Sequence, residues 1–273
     1  MRRHWWVGLR AALSFLGAAW LALEVADYLF TGLEAWFEAR PIETIEIALC
    51  GALLSFLFST YEPRRAALLV PTTNTTLQIK FGDMFNEQAD YIIAVNEFFD
   101  GELGQIVASN SVHGQFISRY YRSSAASFRA DIDPLLSFYQ GEQAARMIQP
   151  DMKYPIGTTI RVPAGTHCAY LVALSKTDLT THRAYADVSQ LWLALTNALE
   201  VIHHLNNGAD LALPLIGNGR SSLNLQPQHL LRIIVLAIVV TARKMQLPER
   251  VTIVLPEECF DKIDLREFKK NWS

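Results

Sequence analysis

The chain has 273 residues, a net charge of -3 and a mildly hydrophobic mean hydropathy of +0.15, enough for one ordinary domain and an appendage. With 24 Lys and Arg against 27 Asp and Glu, it lacks the basic excess that a nucleic-acid backbone demands, so no nucleic-acid partner is expected. Cys50, Cys168 and Cys259 are odd in number, far apart and in no metal-ligand spacing, which excludes a disulfide framework and a structural zinc and reads as free thiols in a reducing compartment.

Two dense apolar runs come first, Trp5 to Phe30 and Ile42 to Tyr61, with Arg40-Pro41 between them. Their uncharged centres span only about 20 Å at 1.5 Å per residue, short of a hydrocarbon core of about 30 Å, but the end turns extend them. Trp5, Trp6, Trp20, Tyr28, Trp36 and Tyr61 mostly flank the runs as interfacial aromatics do, and Arg10, Glu24 and Asp27 lie towards the ends. A two-helix transmembrane hairpin over residues 1–62 is therefore expected, in preference to a cleaved signal peptide, because a second apolar run follows at once. Arg2, Arg3, Arg10, Arg64 and Arg65 flank one side and Arg40 the other, while Glu34, Glu38 and Glu43 mark the connection. That bias places both termini, and everything after residue 62, in the cytoplasm. Arg10, Glu24 and Asp27 share a helical face, either as an interface or aqueous lining or as snorkelling ends, and Gly17, Ala18, Ala19, Gly51 and Ala52 permit close helix approach in an oligomer.

Residues 63–273 alternate short β-rich runs with helical ones. The expected strands are Ala66–Val70, Leu77–Phe81, Tyr91–Val95, Arg161–Val162, Cys168–Leu174, Leu211–Ile216 and Val251–Leu255, with helices over Arg183–Asn206 and Gln226–Met245. Such alternation predicts a layered α/β fold. The segment Leu230 to Ala242 is apolar but too short for a third span and carries Arg232, so it reads as a helix buried against a sheet.

Ligands of open α/β sheets bind in loops at the carboxyl ends of strands. Four loops carry suitable groups: Gly82-Asp83-Met84-Phe85; Asn96-Glu97-Phe98-Phe99-Asp100-Gly101; Ser109 to Gln115, opening a helix; and Leu215 to Ser222, with Gly217, Asn218, Gly219, Arg220 and Ser221. The last suits an anion, since glycines let backbone N–H groups converge beside Arg220 and Ser221, although Gly-Asn-Gly is also ordinary turn chemistry. Asp83 can accept from an exocyclic amine or cap a helix. Asn96 can bond a ribose hydroxyl or close a turn. Phe98 and Phe99 can pack on a sugar or base, or fill the core. His113 has no nucleophile, base or metal cluster beside it and reads as structural, so no catalytic or metal site is expected.

The stretches Ile79-Lys80-Phe81-Gly82-Asp83-Met84-Phe85, Ile92-Ile93-Ala94-Val95-Asn96-Glu97-Phe98-Phe99-Asp100, Ser111-Val112-His113-Gly114-Gln115-Phe116 and Pro214-Leu215-Ile216-Gly217-Asn218-Gly219 resemble a divergent macro domain. With the hairpin in front, nearly the whole chain is similar to the membrane effector of type II Thoeris anti-phage defence. The resemblance implies a three-layer α/β/α domain with a mixed sheet. It implies a sensor, without a cofactor, for an ADP-ribose-type signal, a histidine–ADP-ribose conjugate made by a TIR enzyme. It further implies a homo-oligomer that disrupts the bacterial inner membrane in abortive infection. By the same resemblance Asp83 faces adenine with Met84 in its loop, Asn96 faces the distal ribose beside Phe98, Phe99 and Asp100, and Ser111, His113 and Gly114 with Gly217 to Ser221 hold the diphosphate. The family usually carries paired asparagines in the second loop, where this chain has Ala94 and Val95 before a single Asn96. That departure weighs against the alternative, a membrane-tethered ADP-ribose or NAD hydrolase.

Overall fold

The computed structural model describes residues 4–29, 37, 39–104, 106–146, 148–181, 183–218 and 223–272, with side chains to residue 268. The chain divides into two compact units, Met1–Pro63 and Arg64–Ser273.

The first unit is an antiparallel pair of helices, α1 (Trp5–Leu29) and α2 (Pro41–Thr60). Pro41 occupies the first turn of α2, where its missing N–H costs nothing. At 25 and 20 residues the helices are about 37 and 30 Å long, and both are long and apolar enough to cross a membrane. Their contact seam is built from small residues: Ser55 Oγ donates to the Ala11 carbonyl at 3.2 Å, and a Cβ on Gly51 would run into the Phe15 ring. Trp20, Leu21, Leu54 and Phe58 face outward, Phe58 at 89% exposure, whereas the core helix of a soluble protein would bury such residues. Arg10 and Glu24 are exposed and Asp27 half-buried. Glu34, Trp36 and Glu38 of the expected outer connection lie outside the described residues.

The second unit is a mixed sheet between two helical layers. In chain order its strands are β1 (Arg65–Leu69), β2 (Thr76–Phe81), β3 (Asp90–Asn96), β4 (Glu142–Gln143), β5 (Met152–Lys153), β6 (Thr159–Ala164), β7 (His167–Thr177), β8 (Ala184–Tyr185), β9 (Leu211–Pro214) and β10 (Arg250–Leu255). Its helices are α3 (Val112–Tyr121), α4 (Ala125–Leu136), α5 (Val188–Leu205), α6 (Pro227–Ala242) and α7 (Leu265–Trp272). The main sheet runs β1-β2-β10-β9-β3-β7-β6, with β8 against the end of β7 and β4–β5 a separate ribbon. From β2 to β7 neighbouring strands are parallel; β1 and β6 add antiparallel edges. Alternation along the strands feeds two cores. Leu77, Ile79, Ile92 and Ile253 pack with α5 and α6 on one face, and Tyr91, Ile93, Val95 and Leu171 pack with α3 and α4 on the other. The α/β/α class with a mixed sheet is thus as expected, and Leu230 to Ala242 is a buried layer helix. α5 starts later than expected, at Val188, because Asp187 and Gln190 form a reciprocal capping box.

Candidate functional site

The five parallel strands end on one side, and their following loops enclose a cleft of about 850 Å³. Its lining draws on the ends of all five and on the loop leading into α3. Of the expected residues, Asp83, Met84, Asn96, Ser111, His113, Gly217 and Asn218 line it.

After β2 the chain turns through a short 3-10 segment capped by Asp83, whose Oδ1 accepts the Phe85 N–H at 3.0 Å. Its Oδ2 is paired with Arg119 at 2.7 Å, and that guanidinium lies 4.5 Å from the Phe85 ring centre. Asn96 sits where the β3–β7 register slips, Val95 pairing with Ala173 but Asn96 with Ser175, so a bulge at Leu174 re-aims it. Both Leu174 and Ser175 reach the cleft.

α3 points its N-terminus into the same space. Ser111 caps it, accepting the Gly114 N–H at 3.0 Å while donating to the Ala108 carbonyl at 2.6 Å. The positive end of the helix dipole and the first-turn N–H groups that the Ser111 cap leaves over make this end suited to an anion. His113 is buried against Phe128, and its Nε2 has no hydrogen-bond partner. Burial holds its imidazole neutral by pushing its pKa down to about 3. Opposite in sequence, Gly217 adopts φ +89° in the turn after β9, and a Cβ there would lie 2.6 Å from Leu223 Cδ1, so the turn needs glycine. Asn218 leans on Cys259, Nδ2 to Sγ 3.5 Å.

Other expected residues lie elsewhere. Phe98 and Phe99 are wholly buried, Phe99 in a left-handed turn with its ring 5.8 Å from Tyr154, and therefore act as core rather than as stacking surfaces. Asp100 is buried in an ion pair with Arg146, and Gly114 is the point where α3 presses on the backbone of Ala108 and Ser109. None of these four lines the cleft. Gly219, Arg220 and Ser221 lie outside the described residues. Pro256, Glu257 and Glu258, which are not among the expected residues, line the cleft after β10. They follow directly on the expected strand ending at Leu255, so their position at a strand end is the signal in the sequence that marks them.

A family model described as "Thoeris protein ThsA, Macro domain" matches residues 77–256. The chain belongs to this family. It is 28% identical over 209 residues to the Thoeris protein ThsA of Bacillus amyloliquefaciens (strain Y2), covering 71% of this chain and 68% of that one. Among solved structures it is similar to the Oceanobacillus iheyensis macrodomain with ADP, at 15% identity and TM-score 0.53 over 76% of this chain and 95% of that one. A mutant of that macrodomain with ADPR gives the same identity and score over 76% and 97%. At this identity the likeness fixes the fold, a macro domain, onto which the ThsA-type sequence is written.

Proposed function

We propose that the second unit binds an ADP-ribose-type signal in the cleft, and that the chain is a sensor whose hairpin delivers the response in the membrane. One observation carries the reading: in a macro-domain fold, a helix N-terminus and a glycine turn open onto one cleft of about 850 Å³, within the size range of nucleotide and drug-sized sites. The similar macrodomain is described with ADP and with ADPR, which supports the same ligand class here. The diphosphate lies between the start of α3 and the Gly217 turn, adenine towards Asp83 and Met84, and the second ribose towards Asn96. The signal is a histidine–ADP-ribose conjugate made by a TIR enzyme, and the bound chain oligomerises and disrupts the inner membrane. It binds this signal without turning it over.

The test is calorimetry on the full chain in detergent with ADP-ribose, NAD and the histidine conjugate, followed by chromatography of the ligand. Binding of one of them, recovered intact, is expected. Recovery of cleaved ligand would replace the sensor with a hydrolase, and absence of any binding would remove the nucleotide. Replacing Asn96 by Ala should cost about 1–3 kcal/mol of affinity, the range for stranding a buried polar partner.

A further inference from the structure

Asn96 reaches the cleft with half of its hydrogen-bonding capacity already used. A side-chain amide has two N–H donors and two acceptor positions. Its Nδ2 donates to Asp100 Oδ2 at 2.7 Å, and its Oδ1 accepts the Asp100 backbone N–H at 3.1 Å. One N–H and one lone pair remain, in a direction fixed by Asp100. Asp100 is held in turn by a fork of two bonds, Arg146 Nη1 to Oδ1 and Nη2 to Oδ2, each 2.9 Å. Arg146 comes from the segment between β4 and β5, of which no described residue lines the cleft. It also donates to the Pro150 carbonyl at 2.8 Å and lies 4.2 Å from the Phe98 ring centre.

Stability is a poor reason for such a pair. Both side chains are only 1% exposed, and Arg146 Nε is buried without a hydrogen-bond partner. Taking two charges out of water costs as much as their attraction returns, and well-packed apolar residues often do as well or better. What apolar residues could not do is orient an amide. Arg146 fixes the carboxylate, and the carboxylate fixes Asn96 in the one rotamer that presents its remaining donor and acceptor.

On the reading that Asn96 faces the second ribose of the signal, we infer that Arg146 and Asp100 are positioning residues for that end of the ligand. They set the chain's preference for ADP-ribose over ADP, which lacks the second ribose, although neither touches ligand. The full chain, in detergent, would be titrated with ADP-ribose and with ADP. Arg146→Met should weaken ADP-ribose roughly tenfold, the loss expected for one misdirected hydrogen bond. ADP should bind it as it binds the parent. Arg146→Lys keeps the charge but loses the fork, and should show a smaller loss, again confined to ADP-ribose; it serves as the folded variant if the methionine protein fails to fold. Unchanged ADP-ribose affinity in either folded variant overturns the inference, as does an equal loss for both ligands, the mark of a merely structural pair. If the unaltered protein binds neither ligand, the nucleotide reading itself fails.

Discussion

At the residue scale, His113 is the group whose chemistry the fold has altered most plainly among the cleft residues. An imidazole titrating near 6.5 when unfolded and about 3 when folded leaves the unfolded chain binding more protons between those values. Stability is then full above pH 6.5 and falls as pH drops towards 3. The slope from this group approaches about 1.4 kcal/mol per pH unit. Urea unfolding at pH 7, 5.5 and 4.5 should show the difference between the parent and His113→Gln shrinking as the parent's acid loss sets in. A constant difference would mean that this imidazole titrates normally. The residues legible from sequence were those whose position follows from a strand end: Asp83, Asn96 and Gly217 all line the cleft. Phe98, Phe99 and Asp100 were not, because a loop sequence does not reveal which side chains a distant segment will bury. Arg146, which claims Asp100, is 46 residues away.

At the scale of elements, the expected strands all form, and the two long layer helices fall within the expected limits, because long apolar alternation and 3.6-residue periodicity are strong local signals. β4, β5 and β8 have two residues each, too few for any period to register. α4 is not among the expected helices, and it carries Pro134 inside the helix near its end, where proline is a weak guide to a helix. What aims α3 at the cleft was equally hidden, since only the fold brings its first turn against residues 108 and 109. A Cβ at Gly114 would press on the Ala108 carbonyl and the Ser109 Cα. Gly114→Ala should therefore destabilise by about 1–3 kcal/mol through overpacking, reduced by up to about 1 kcal/mol from better helix propensity. The melting temperature should fall. A rise would show that α3 slides freely and that this contact does not set its aim.

At the scale of the whole molecule, the proposed response requires that ligand in the second unit change the state of the first. In liposomes the full chain with its nucleotide should release a trapped dye, whereas residues 64–273, once calorimetry has verified that they bind the same nucleotide, should not. To carry an equilibrium from 1:99 to 99:1 the ligand must favour the active state by about 5.5 kcal/mol. Arg64 is the first residue of the second unit after Pro63, and it bonds both carboxylate oxygens of Glu257, a cleft-lining residue, at 2.6 Å. Its guanidinium also lies 5.0 Å from the Phe260 ring centre. The pair thus ties the first residue of the second unit to a residue of the cleft. Both partners are more than half exposed, however, and a pair of that kind contributes at most about 1 kcal/mol. The pair alone therefore cannot supply the switch, and on the proposed reading the remainder comes from contacts between assembled chains. Arg64→Gln should accordingly shift the ligand concentration for half-maximal leakage by no more than about fivefold, with the maximum unchanged and the dependence on protein density in the membrane retained. Leakage that is independent of protein density in both proteins would sink assembly as the source of the remaining free energy. Abolition of leakage in the variant at unchanged nucleotide affinity would place the whole coupling in the linker instead.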